Sequence, residues 1–229
     1  GSWLVDKQIR ERSEEHTEFA FPDVYHGQES SLTFGIANLS NRPYEPVLMH
    51  LPPYLKMEAE PNVLLKGKKG TVKLTLDAGM LKDYGLTQTS VYLSRFAGDK
   101  VCEENEIPVS AILLPDFSRM TAQDSLNAPA IRLSESDIDL SVALINKKKV
   151  NYDILIANAG KTPLVISKLQ VFNSSVGVRL KKTVLPPDGM TKLRVTIRKR
   201  DVGNKKHHLR ILMITNDPLR PKVEINIKR

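Results

Sequence analysis

The sequence is poor in the residues that usually announce chemistry. Cys102 is the only cysteine in 229 residues, which excludes an intrachain disulfide and any zinc site built from several cysteines. Its neighbours Glu103 and Glu104 disfavour a thiolate, so it is not expected to act as a nucleophile. No uninterrupted apolar run approaches the roughly 20 residues that a spanning helix requires, so no transmembrane segment is expected. The five histidines, His16, His26, His50, His207 and His208, lack the spacing of a ligand set, and adjacent His207 and His208 would point to opposite faces of a strand. No glycine-rich phosphate loop, nucleophile elbow or calcium-loop spacing occurs. Glu103, Glu104 and Glu106 are neighbours along the chain, but a cation needs oxygens that converge in space. The absences exclude recognisable catalytic machinery: no catalytic residue, cofactor or metal ligand is expected, and the chain reads as a non-enzyme.

What is present is an internal repeat at an offset of 120 residues. Ile36-Ala37-Asn38 matches Ile156-Ala157-Asn158, Pro43 falls on Pro163, and Val91 and Leu93 fall on Ile211 and Met213. After a one-residue insertion, Val72, Leu74 and Leu76 match Leu193, Val195 and Ile197. Each segment alternates apolar and mostly polar positions, the pattern of a half-buried strand. The first copy predicts strands near 31–37, 45–50, 71–77, 89–95 and 107–113. The second predicts them near 151–157, 164–171, 191–198, 208–215 and 222–228. Asn41-Arg42-Pro43, Lys66-Gly67-Lys68, Pro186-Pro187-Asp188-Gly189 and Asn216-Asp217-Pro218 punctuate them as turns.

Many short strands in two copies predict an all-β chain of two tandem immunoglobulin-like β-sandwich domains. The buried tryptophan and paired cysteines of antibody domains are missing. The expected boundaries are an N-terminal segment or stub at 1–16, a first sandwich at 17–115, a polar linker at 116–129 and a second sandwich at 130–229. Gly1-Ser2 reads as an appended pair, which suggests that residues upstream of Trp3 were removed, and a targeting signal is expected among them. Residues 3–15 carry the charge pattern of a short helix or, equally, of a frayed stub or the end of a preceding element. Asn38-Leu39-Ser40 and Asn173-Ser174-Ser175 match the glycosylation sequon but read better as turn residues bonding to local backbone.

The segment Asn158-Ala-Gly-Lys-Thr-Pro-Leu-Val-Ile166, with Leu185-Pro-Pro-Asp-Gly189 and Ile214-Thr-Asn-Asp-Pro218, resembles the bacterial family called domain of unknown function 1573. Phe19 to Gly27, Asn38 to Pro43 and Lys66 to Leu76 are weaker forms of the same features. The family's Ser-Cys-Gly-Cys-Thr motif is absent, with Asn173-Ser-Ser-Val-Gly177 in its place, so no metal or redox role is carried over. The resemblance implies Ig-like repeats in a secreted or envelope-associated bacterial protein, at the periplasm or cell surface, and implies no activity.

Charge divides the copies. Residues 15–118 hold 9 Lys/Arg against 14 Asp/Glu, whereas residues 128–229 hold 21 against 8. In the second copy Lys192, Arg194 and Arg198 lie at even spacings on a strand whose Leu193, Val195 and Ile197 face inward. Lys199, Arg200, Lys205 and Lys206 crown the following hairpin. The seven cations predict a continuous basic edge that contacts an acidic envelope protein, an anionic glycan or a membrane surface. No recognition helix or stacking motif accompanies them, so specific nucleic-acid binding is not expected.

The reading that follows is a non-enzymatic envelope interaction or structural module. A periplasmic assembly chaperone acting by strand donation is the alternative, with Arg42 and Lys100 as weak candidates for its basic anchors. A glycan-active enzyme is a further alternative, which lacks an identifiable carboxylate pair.

Overall fold

A computed structural model describes residues 3–5, 19–140, 147–199 and 209–228. They fall into two compact units, Gly1–Leu113 and Leu114–Arg229. The first contains β1 (Trp3–Val5), β2 (Phe19–Ala20), β3 (Val24–Tyr25), β4 (Glu29–Asn38), β5 (Leu48–Met49), β6 (Leu55–Glu60), β7 (Lys69–Asp77), β8 (Gly85–Leu93) and β9 (Glu106–Leu114). Its sheets run β1-β4-β7-β6 and β2-β9-β8-β5, with β3 also on β9. The second contains a short helix α1 (Ala122–Leu126), then β10 (Ile131–Leu133), β11 (Asp137–Asp139), β12 (Lys149–Asn158), β13 (Leu164–Val171), β14 (Val176–Leu180), β15 (Val184–Leu185), β16 (Met190–Arg198), β17 (Arg210–Thr215) and β18 (Lys222–Lys228). Its sheets run β10-β12-β16-β14 and β11-β18-β17-β13-β15. Each unit is an immunoglobulin-like sandwich, and the chain is all-β apart from short helical turns.

The two units share one unusual device. The first strand of each pairs antiparallel in one sheet, then the chain crosses to run parallel to the last strand of the other. In the second unit Ile131 pairs with Asn158 and Ile138 with Ile227. In the first, Trp3 pairs with Asn38 and Phe19 with Val109. Trp3–Val5 is therefore a strand and not the start of a helix or a frayed stub. The remainder of the charged segment, 6–18, lies outside the described residues.

Alternation decides what is buried. Leu193, Val195 and Ile197 are fully buried in the second core, with Ile154, Ile156, Ile211 and Met213. Val72, Leu74, Leu76, Val91 and Leu93 do the same in the first, where Phe19 stacks on Phe34 at 4.8 Å. Burying each such side chain contributes about 1.5–3 kcal/mol. Strands β6 and β14 were not expected. Both alternate in pattern, but each follows a polar or proline-containing stretch, Pro52-Pro53 and Asn173-Ser174-Ser175, that reads as loop. The expected polar connection also holds α1, started by a capping box in which Thr121 accepts from the Asp124 amide and Asp124 from the Thr121 amide.

One polar residue per core ties these elements together. Asn158 is 1% exposed. Its Nδ2 donates to the carbonyls of Thr162 (2.8 Å) and Leu185 (3.0 Å), and its Oδ1 accepts from the amides of Gly160 (2.9 Å) and Ala130 (3.2 Å). Asn38 is its counterpart: Nδ2 donates to the Arg42 and Leu64 carbonyls, and Oδ1 accepts from the Ser40 amide and hydroxyl. The sequon at Asn38 is thus a buried structural turn. Asn158 also receives the following turn, for Asp188 N donates to its carbonyl at 2.9 Å and its own amide donates to Gly189 O at 3.0 Å.

The glycines beside the clip answer to crowding. A Cβ on Gly160 would lie 2.2 Å from the Ala128 carbonyl oxygen, and one on Gly189 would lie 2.8 Å from Pro186. The left-handed residue of that turn is Asp188, at φ 63°, and not Gly189. Asp217 and Asn216 complete the tie: Asp217 accepts from the Ile131 amide at 2.9 Å and Asn216 from the Val165 amide at 2.7 Å.

Asn158→Ala is expected to destabilise the second unit by at least about 4 kcal/mol, because two carbonyls and two amides lose their partner together, at about 1 kcal/mol or more for each. Asn173→Ala, whose side chain accepts from the Ser175 amide, is expected to cost under about 1 kcal/mol. Urea denaturation of both variants measures the difference, and equal costs would refute the clip.

Candidate functional site

The cations singled out from sequence lie on β16, whose odd positions fill the core and whose even positions face solvent. Lys192, Arg194 and Arg198 are all exposed there. Lys199 follows, also exposed, with its backbone amide on the Lys148 carbonyl at 2.9 Å. Arg200, Lys205 and Lys206 lie outside the described residues. The basic edge expected from the sequence is instead part of a face. Strand β16 lies inside its sheet, hydrogen-bonded to β12 on one side and to β14 on the other, so its solvent-facing cations meet those of its neighbours.

Parity and register build that face. Arg132 on β10, Lys149 on β12, Arg179 on β14, and Lys192, Arg194 and Arg198 on β16 all point outward and are exposed. Lys149 stands directly opposite Arg198, and Arg179 directly opposite Arg194. Like charges placed opposite one another on adjacent strands destabilise a sheet. Among the described strand residues of this face the sole acid is Asp153. It accepts from Arg194 Nε at 3.1 Å and lies 3.8 Å from Lys192 Nζ. The Arg194 hydrogen bond, with the charges of Arg194 and Lys192 beside it, holds the Asp153 carboxyl below its ordinary value of 3.8. Sequence reasoning missed Arg132, Lys149 and Arg179 because they belong to other strands. Only the pairing register brings them to β16.

Several of the remaining candidates take part in local contacts, Arg42 and Lys100 through their backbone alone. Glu104 accepts from Arg95 Nη1 at 2.8 Å, and Glu106 from the Ser90 hydroxyl at 2.6 Å. Arg42 sits in the β4–β5 loop, where its carbonyl accepts from Asn38. Lys100 donates its backbone amide to Asp99. Cys102 Sγ lies 3.5 Å from Arg95 Nη2. No three His, Cys, Asp or Glu side chains gather as a metal site among the described residues, and no helix among them is long and apolar enough to cross a membrane.

The first unit also carries a groove of about 920 Å³ between residues 40–49 and 94–99. Three of its polar groups are committed internally: Arg95 pairs with Asp99 at 2.9 Å, and the Tyr44 hydroxyl donates to Ser94 O at 2.6 Å. Burial, with the Asp99 charge second, pushes the Tyr44 phenol up to about 12.

Two titrations check these environments. The Asp153 carboxyl, followed by NMR, is expected to ionise below 3.8 and to move back towards that value in Arg194→Gln. Its folded value being depressed, its contribution to stability is present above the ordinary carboxylate range and is lost as pH falls through the folded value. Phenolic absorbance is expected to show one group ionising near 12 that Tyr44→Phe removes. Because that value is raised from 10, the contribution of Tyr44 is complete below the ordinary phenol value and is lost as pH rises through the folded one.

Comparison with known proteins follows the same division. Residues 129–229, a little under half of the chain, match the family described as HYDIN/CFA65/VesB-like, Ig-like domain. No curated protein matches the sequence. A protein of unknown function from Porphyromonas gingivalis W83 has a similar structure, with a TM-score of 0.71 over 99% of this chain and 98% of that one, at 18% identity. The E. coli chaperone DraB overlaps 100% of this chain and 98% of its own at 9% identity, but its TM-score of 0.31 is too low to carry an inference. The second unit therefore matches an Ig-like domain family, and the whole chain shares its fold with the P. gingivalis protein.

Proposed function

We propose that the chain is a non-catalytic binding module of the bacterial envelope, at the periplasm or cell surface, and that the second unit holds an anionic partner against its basic face. The single observation that carries this reading is the arrangement of six exposed cations around one acid, with two like-charged pairs directly opposed. Asp153 offsets part of the repulsion at Arg194 but none at the Lys149–Arg198 pair, and an anion laid on the face would offset the rest. A solubilising surface needs charge but has no use for opposed pairs, since alternating signs serve solubility without the cost. The envelope location rests on the resemblance of Asn158–Ile166 and Ile214–Pro218 to the domain of unknown function 1573 family. The non-catalytic reading agrees with an Ig-like match to residues 129–229.

Placement, not total charge, is what a test must isolate. Changing Lys149, Arg179, Arg194 and Arg198 to Ser is expected to weaken binding to polyaspartate at least tenfold at about 0.15 M salt, where screening removes diffuse attraction. Changing Lys161, Lys168, Arg220 and Lys228, which lie elsewhere on the unit, removes the same charge and is expected to change binding less than about threefold. Titration calorimetry of the two folded variants reads the outcome. Equal losses would reduce the face to general electrostatics.

A further inference from the structure

The basic face is not flat. Its residues lie in rows across the strands, and the middle row, Asn151 on β12, Thr196 on β16 and Gly177 on β14, has no long side chain. One flanking row carries Lys149 and Arg198, and the other carries Asp153, Arg194 and Arg179. Rows on one face are two residues apart, so the flanking backbones stand roughly 13 Å from each other. The result is a shallow trough whose floor crosses three strands, with Lys149 and Arg198 on one wall and Arg179 and the Arg194–Asp153 pair on the other.

Its floor is polar and uncharged. Thr196 Oγ1 donates to Asn151 Oδ1 at 2.8 Å, which orients that amide and leaves its NH2 group as a donor to solvent or ligand. Gly177 is exposed, and a Cβ built on it would meet nothing nearer than Thr196 at 4.0 Å. Neither a turn nor crowding requires glycine there, and its φ is not in the left-handed range. Its effect is to keep one end of the trough open.

The first unit supplies an internal comparison. On its equivalent face Ser31 and Thr75 occupy the floor in the same register, but Lys56 stands opposite Thr75, where Gly177 stands opposite Thr196. Glu29 pairs with Asp77 where the second unit has Lys149 and Arg198, and Glu58 stands opposite Lys73 where it has Arg179 and Arg194. The fold is therefore indifferent to an open trough and to basic walls. Both appear together in one unit only.

We infer that this trough binds a linear acidic polysaccharide, its carboxylates or sulfates meeting Lys149, Arg198 and Arg179, with Arg194 held in the wall by Asp153, and its hydroxyls meeting Asn151 and Thr196. The inference rests on the proposed anionic-contact role and specifies its ligand. A recessed polar row favours a narrow chain over a planar membrane, which would touch the tips of the cations and leave the floor unused. An extended polyanion without hydroxyls would likewise leave the floor unused.

The test uses the full chain with hexagalacturonate, polyaspartate and vesicles containing phosphatidylglycerol. Gly177→Phe is expected to lower affinity for hexagalacturonate at least tenfold and to leave vesicle binding within twofold, with circular dichroism confirming the fold. Should that variant fail to fold, Asn151→Ala combined with Thr196→Val removes the floor's polar groups without adding bulk. That pair is expected to weaken hexagalacturonate binding at least fivefold and polyaspartate binding less than twofold. Unchanged hexagalacturonate binding in the folded variants, or equal loss for all ligands, overturns the trough. Wild-type protein that binds polyaspartate and not hexagalacturonate overturns it too while leaving the anionic-contact role standing. Binding to none of the three defeats both.

Discussion

A buried carboxamide organises each half of this molecule. An asparagine has two donors and two acceptor sites, and Asn158 uses them to bind four backbone groups from three stretches: the incoming segment at Ala130, the loop at Gly160 and Thr162, and the strand end at Leu185. An apolar residue of the same size would gain about 1.5–3 kcal/mol from burial and would leave those groups without a partner, at about 1–3 kcal/mol for each. The polar choice wins because the sandwich brings so many chain ends to one point. Gly160 follows from it, since the segment entering at Ala128–Ala130 passes too close for any side chain. Much of the Asn158–Ile166 motif is therefore explained by the clip, and its recurrence at Asn38 shows the same solution with different neighbours.

With the backbone fixed this way, the outer faces are free to diverge. Inward positions of the two units remain interchangeable hydrophobics, Val72 with Leu193 and Leu74 with Val195, all buried. Outward positions do not correspond in sign. The unit with paired acids at Glu29 and Asp77 folds with the same strand order as the one with paired cations at Lys149 and Arg198. Charge on this face is thus neither a cause nor a consequence of the fold, which separates it from Asn158 and Gly160.

How much of this was legible in the sequence depends on the range of the interaction concerned. Strands β13 and β18 were readable to the residue, at 164–171 and 222–228, because alternation is a local property and a turn precedes each. The three-residue strands β1 and β10 are too short to show a period, and only pairing with β4 and β12 defines them. The parallel pairings of β2 with β9 and of β11 with β18 join residues about ninety apart, for which no local pattern exists. The cations of β16 were legible as an exposed row, but their setting was not. An edge and an interior strand carry the same alternation, and the difference lies in Lys149 and Arg179, far away in sequence and adjacent in space.

That limit bears on how the face is interpreted. Read along β16, the cations form a stripe, and a stripe attracts any anion by Coulomb forces that salt screens. Read across the sheet, they form two walls with Asn151, Thr196 and Gly177 between them, a shape with direction and width. Coulomb attraction acts on charge alone, whereas a floor of hydrogen-bonding groups discriminates by what else the ligand carries, because polar groups paired badly on binding forfeit affinity. In the binding role we propose, specificity would depend less on the cations, which would draw a partner to the sheet, than on the small uncharged residues between them.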